Sequence, residues 1–323
     1  MKTRIIRIAE SGGQKNADKK ISYAAQIIRR GGIVAFPTET VYGLGANALD
    51  TKAVRKIFRA KGRPSDDPLI VHIADEHQLY ELASYVPLQA KILMDKFWPG
   101  PLTIVLRKSK KVPRITTGGL DTVAIRMPSH SVALELLCAA GVPIAAPSAN
   151  LFGRPSPTSA QHVLEDLNGK INAVLDGGRT RIGVESTVLD LSGKTPELLR
   201  PGKITIGQLQ KIIGKIKVHP LVRSQPRKGG KKAAARSPGL SYRHYAPAAE
   251  VILVEGPKNS LSSDNCASIT SVKRKLLLYL FGLVSQRYLK RSAAVWHSSG
   301  FSISYSDINS CLTSCQFEPI ALS

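Results

Sequence analysis

Three short polar runs follow apolar segments, and they hold the residues best suited to chemistry. The first, PTETVYGLG (37–45), offers three hydroxyls, Thr38, Thr40 and Tyr42, in a turn whose amides could face a small polar ligand. The second, KGRPS (61–65), places Lys61 and Arg63 on either side of a glycine, with Pro64 and Pro68 stiffening the loop. Two such cations at a helix end would ordinarily offset its dipole. A rigid loop is not needed for that, and it suits a triphosphate, which Arg grips as a fork and Lys as a point charge. The third, APSAN (146–150), would put Ser148 and Asn150 on one side if the chain stays extended, because they are two apart. An ordinary Ser/Asn turn is the plain alternative. GRPS (153–156) adds Ser156, and Arg126, Ser186 and Arg200 stand at strand ends, where each alone reads as a surface or capping residue. His72, inside an apolar strand, is by default a core histidine.

The segment from Gly43 to Ala48 also fits the dinucleotide pattern GxGxxA. That pattern needs a helix opening within the glycine turn. Here the next helix starts at Asp50, whose carboxylate would repel phosphate. The chain contains no GxxxxGK[ST] loop, HExxH, GxSxG or kinase signature. Cys311, Cys315 and His297 lack a recognised metal spacing. The parts present are hydroxyls, amides and cations without a nucleophile–base pair. Such a site binds anions and orients reactants.

These residues need strand ends to stand on, and the pattern supplies them up to about residue 210. Helices are predicted at 17–30, 50–60, 78–97 (broken at Pro87), 132–140, 158–167 with Thr158 as cap, and 207–213. Strands are predicted at 33–36, 69–73, 102–106, 122–126, 144–146, 173–175, 186–191 and 196–200. The fold class is mixed α/β, with a first domain over 1–214. Residues 215–248 read as a basic linker. A third region, 249–323, has strand character at 249–254 and becomes atypical after about 257: residues 258–323 hold 15 serines and three of the four cysteines. That tail is expected to be poorly ordered.

Lys and Arg number 46 against 23 Asp and Glu, a net charge of +23. Twelve of the cations lie between Glu197 and Glu250, where there is no acidic residue. Such a run is either a self-repelling linker or a surface that attracts polyanions such as ATP or RNA. One cysteine in the first 250 residues fits a reducing compartment. The charged start carries no apolar leader, and the longest apolar run, 276–284, falls far short of a bilayer span. A cytoplasmic protein with no membrane association is expected.

Taken in order, PTETVYGLGANA (37–48), KGRPSDDPLIVHI (61–73), FWPGPLTIVL (97–106), VAIRMPSH (123–130), PIAAPSAN (143–150), GRPSPTSA (153–160), ESTVLDL (185–191) and LLRPG (198–202) resemble the YrdC-like threonylcarbamoyl-AMP synthases. SPGLSYRHYAP (237–247) is similar to the linker motif of their longer, two-domain type. The resemblance implies an open, twisted, mostly parallel sheet with a large cavity, then a linker and a smaller Rossmann-like domain. It implies that L-threonine, bicarbonate or CO2, and ATP give threonylcarbamoyl-adenylate and pyrophosphate. A threonylcarbamoyl transferase complex then uses the adenylate to modify adenosine 37 of tRNA. Mg²⁺ would arrive with ATP, and tRNA or double-stranded RNA are further candidate partners.

Position by position, the resemblance sets threonine against Thr40, His72, Arg126, Ala146 and Ser186, with Arg126 on the carboxylate. It sets ATP against Lys61, Arg63, Asp67, Ser148, Asn150, Ser156, Arg200 and Tyr242. Lys61, Arg63, Ser148 and Asn150 are the expected catalytic set. Lys61→Ala and Arg63→Ala are expected to abolish turnover with little unfolding, because both residues read as lying on an exposed loop. Position 67 is usually Asn in the family, so Asp67 is expected to alter ATP affinity. A pure RNA-binding module is one rival reading. Carbamoylation in hydrogenase maturation is another, and it would call for acylphosphatase-like and zinc-finger parts that this sequence lacks.

Overall fold

The computed structural model describes residues 2–8 and 13–223. The expected Rossmann-like region, Tyr242, the SPGLSYRHYAP segment and the serine-rich tail lie outside the described residues.

An 11-stranded sheet organises the described residues. Its strands are β1 (Arg4–Arg7), β2 (Val34–Phe36), β3 (Gly43–Asn47), β4 (Ile70–His72), β5 (Leu102–Arg107), β6 (Thr122–Arg126), β7 (Ile144–Ala145), β8 (Ala173–Asp176), β9 (Thr187–Asp190), β10 (Glu197–Arg200) and β11 (Lys217–Val218). The order across the sheet is β1-β8-β2-β3-β7-β4-β6-β5-β9-β10-β11. The sheet is mixed. β8 lies parallel to both β1 and β2, and the pairs β4–β6, β5–β9 and β10–β11 are also parallel. β3 lies antiparallel to β2 and β7, β4 to β7, β5 to β6 and β9 to β10.

Among the described residues, eight helices accompany it: α1 (Gln14–Arg29), α2 (Thr51–Lys61), α3 (Glu76–Leu82), α4 (Leu88–Phe97), α5 (Ser131–Ala140), α6 (Ala160–Leu167), α7 (Ile206–Ile213) and α8 (Pro220–Arg223). Helices α2, α3, α4, α6 and α7 pack one face through a core that includes Ile57, Leu79, Leu93, Val163 and Leu209. Helices α1 and α5 pack the other through Ile28, Leu136 and Leu137. The period of two explains how one strand serves both: Val34 and Phe36 join the second core, Ala35 the first. No helix among the described residues is long and apolar enough to cross a membrane.

The caps show why the helices begin where they do. Asp50 accepts from the amides of Lys52 and Ala53, and α2 stops at Gly62, whose φ of 63° is the left-handed conformation glycine tolerates. The break at Pro87 separates α3 from α4 as expected. Two expectations need correcting. The cap of α6 is Ser159, whose hydroxyl accepts from the His162 amide, while the neighbouring Thr158 hydroxyl faces the His162 ring. The sheet also continues past residue 214, because β11 pairs with β10, so the first residues read as linker belong to the domain.

The end of the 37–45 run, expected to be a turn, lies in the central strand β3 (Gly43–Asn47). Its glycines permit close packing: a Cβ on Gly45 would lie 2.7 Å from Phe36 Cε1 and 2.8 Å from Ile144 Cγ2. The match to a dinucleotide fingerprint therefore reflects strand packing, with α2 opening only at Thr51.

Candidate active site

β4 and β6 run side by side in register, pairing His72 with Arg126 and Ile70 with Ala124. Alternation sends Val71 into the helical core and turns Ile70, with Ala124, Val105, Val188 and Leu199, into a small cluster on the other face. Ile70, His72 and Arg126 line a cleft there of roughly 520 Å³, open to solvent. Thr38, Thr40, Val41 and Gly43 approach it from the segment leading into β3, and Ala146, Pro147 and Ser148 from beyond β7. Glu185, Ser186, Arg200 and Arg63 complete the lining.

The cleft thus collects all five residues expected around threonine: Thr40, His72, Arg126, Ala146 and Ser186. Arg126 is 4% exposed and already engaged. Its Nη2 lies 2.7 Å from Glu39 Oε1, its Nη1 donates to Thr40 Oγ1 at 3.0 Å, and Nε reaches the Gly100 carbonyl at 3.4 Å. Burial pulls Arg126 below the ordinary guanidinium value; the Glu39 carboxylate opposes this and Arg200 adds to it. The Thr40 hydroxyl continues to Thr38 Oγ1 at 2.8 Å. Ser186 Oγ lies 2.7 Å from Thr103 Oγ1 and accepts from Arg200 Nη2 at 3.1 Å.

His72 is 3% exposed, and its Nδ1 has no hydrogen-bond partner among the described residues. Burial, and then the nearby Arg126 charge, lower its pKa to about 3, while the Ile70 and Ile144 backbones pull weakly upward. The ring is therefore neutral at physiological pH.

Of the residues expected around ATP, Arg63, Ser148 and Arg200 line the cleft. Lys61, Asp67, Asn150 and Ser156 are not among its lining residues. The expectation of an exposed cationic loop is overturned: Lys61 is 2% and Arg63 7% exposed. Lys61 Nζ donates to the carbonyls of Ser148 at 2.5 Å and Asn150 at 2.6 Å. Burial, then Arg63, push its pKa well down, against the pull of Asp166 and Asp67. Arg63 Nη2 lies 2.9 Å from Asp67 Oδ2 and donates to the Pro68 carbonyl at 3.0 Å. Both cations are built into the protein, so removing either disturbs packing as well as charge.

Asn150 Nδ2 donates to the carbonyls of Leu151 and Arg154, which orders the 150–154 loop. Ser156 Oγ bonds to Glu185. Tyr42, expected to face a ligand, is fully buried and donates to the Gly178 carbonyl at 2.5 Å; burial, then Asp176, raise its phenol pKa. Glu39 is the residue the sequence reading missed. It sits among hydroxyls in a motif read for its donors, yet a lone acid beside apolar strand residues is itself a sign that a buried cation must come to meet it.

A family profile described as "Telomere recombination", the Sua5/YciO/YrdC family, matches residues 26–202. A second, "Threonylcarbamoyl-AMP synthase, C-terminal domain", matches 204–308. The chain belongs to the YrdC-like threonylcarbamoyl-AMP synthase family. Its two matches are those of the two-domain type, and the second runs through part of the region whose composition departs from the rest. The threonylcarbamoyl-AMP synthase of Pyrococcus abyssi is 59% identical over 242 residues, 75% of this chain and 70% of that protein. The Bacillus subtilis synthase is 54% identical over 241 residues, 74% of this chain and 68% of that one. The crystal structure of P. abyssi Sua5 complexed with L-threonine aligns with a TM-score of 0.77 at 54% identity, covering 84% of this chain and 78% of that one.

Proposed function

We propose that this chain is an L-threonylcarbamoyladenylate synthase, a nucleotidyltransferase. It joins L-threonine, bicarbonate or CO2, and ATP into threonylcarbamoyl-AMP with release of pyrophosphate. The observation that carries the reading is a single cleft holding Thr40, His72, Arg126, Ala146 and Ser186 beside Arg63, Ser148 and Arg200.

The threonine amine attacks carbon dioxide and loses a proton to give a carbamate. A carbamate oxygen then attacks the α-phosphorus, and pyrophosphate leaves. The substrate brings its own nucleophile, so the protein's tasks are to hold three reactants together and offset phosphate charge. Good positioning can contribute about 7–11 kcal/mol. Arg126 meets the carboxylate of threonine while Glu39 keeps the guanidinium from being an isolated buried charge. Neutral His72 accepts a hydrogen bond from the substrate, and the Thr40 and Ser186 hydroxyls fix its orientation. Arg63, Arg200 and Ser148 take the phosphates.

A magnesium ion fits as a companion of ATP. The described residues include no group of three or more His, Cys, Asp or Glu placed to hold a metal ion, and Glu39 and Asp67 face arginines. Such a donor set suits an ion held chiefly by substrate phosphates, which would neutralise charge on the leaving pyrophosphate. The adenylate is then passed to a transferase acting on position 37 of tRNA, in the cytoplasm.

Titration calorimetry tests the site. Threonine and magnesium-ATP should each bind, and threonine binding should be lost in Arg126→Met. Unaltered threonine affinity in that variant would remove Arg126 from the site.

A further inference from the structure

We propose that Asp67 is a latch on Arg63 that sets how tightly the cleft holds a triphosphate. Nucleotide entry takes the guanidinium away from the carboxylate. The inference rests on the reading of this cleft as the nucleotide site.

Arg63 and Asp67 stand four residues apart, in a segment pinned at both ends. The Arg63 amide bonds to the Phe58 carbonyl and the Leu69 amide to the Thr116 carbonyl, and Pro64 and Pro68 restrict what lies between. Their side chains, 4% and 0% exposed, meet at 2.9 Å. Arg63 nevertheless lines the cleft. Of the three cleft arginines, Arg63 and Arg126 each hold a buried carboxylate, while Arg200 bonds to the hydroxyl and carbonyl of Ser186.

A polyphosphate therefore meets an arginine whose charge is already offset. To offer a two-pronged grip, Arg63 must withdraw Nη2 from Asp67 and give up a buried ion pair at 2.9 Å, with Lys61 the other cation that acts on the carboxylate. Separating a dry ion pair is costly. That cost is subtracted from nucleotide affinity and leaves the threonine side untouched. Asparagine at position 67 keeps the shape and an acceptor oxygen for Nη2 but no charge, so Arg63 is released at little cost.

The test compares the full-length wild type with Asp67→Asn. Calorimetry with magnesium-ATP, with inorganic tripolyphosphate and with threonine is paired with steady-state kinetics. The two phosphate ligands should bind about tenfold tighter, a low figure for the coupling of close charge pairs. Threonine affinity should stay within about twofold. The KM for ATP should fall by the same factor as the dissociation constant, with kcat retained. A merely structural Asp67 would instead lower kcat and weaken both ligands together. Asp67→Ser, uncharged and smaller, gives the same comparison should the amide pack too badly to fold. Unchanged or weaker tripolyphosphate binding in a folded variant overturns the latch. If the wild type takes up neither ATP nor tripolyphosphate, the nucleotide reading itself fails and the latch falls with it.

Discussion

Replacing Lys61 with methionine removes a buried amino group that ties the end of α2 to the segment carrying Ser148. Its two hydrogen bonds, at 2.5 and 2.6 Å, satisfy the carbonyls of Ser148 and Asn150. A buried carbonyl left without a donor costs about 1–3 kcal/mol. Two such losses are offset in part by the methionine tip, worth about 1 kcal/mol of apolar burial. The variant should therefore lose about 1–5 kcal/mol at pH 7, with a lower midpoint in urea at an unchanged m-value. A pH series adds a second signature. Burial lowers the folded-state pKa of Lys61 well below 10.5, so in the window between the two values the unfolded chain carries the extra proton. Wild-type stability then rises with pH through that window, by linkage, whereas the methionine variant lacks this term. The deficit of the variant should widen as pH rises toward 10.5. A variant as stable as wild type at pH 7, or a deficit flat across the series, would refute the assignment of Lys61 as a structural staple.

Two further outcomes follow from packing and titration. Gly45→Ala should destabilise by about 1–3 kcal/mol in thermal or urea unfolding, because its Cβ would sit 2.7 Å from the Phe36 ring; a neutral result would mean that β3 can move away. His72 has a folded-state pKa of about 3 against 6.5, so the wild type should lose stability as pH falls between those values, by ~1.4 kcal/mol per pH unit from this residue. His72→Leu should show a shallower acid limb by that amount, and parallel acid limbs would contradict a buried neutral imidazole.

The strands that carry the cleft were legible because apolar, β-branched runs such as 102–106 and 122–126 dominate their windows. β3 was not, since GLGAN has the composition of a turn. Its strand character comes from two flanking partners and from neighbours that leave no room for side chains. β1, RIIR, was passed over as a charged start: only Ile6 is buried, and the strand exists because β8 pairs with it. At the site, hydroxyls and cations were found by type, but their pairing was not. Glu39 with Arg126 and Asp67 with Arg63 join residues whose meeting depends on register and loop geometry. Lys61 shows the limit of local reasoning: a cation beside a glycine and a proline looks solvated until the 148–150 segment is folded over it.

The most direct measurement is pyrophosphate release by the full-length chain with substrates omitted one at a time. Release is expected only when threonine, bicarbonate and magnesium-ATP are all present, with the phosphate left on the nucleotide as an AMP adduct of threonine and carbonate. Release that persists without threonine, or none with all three, would contradict it.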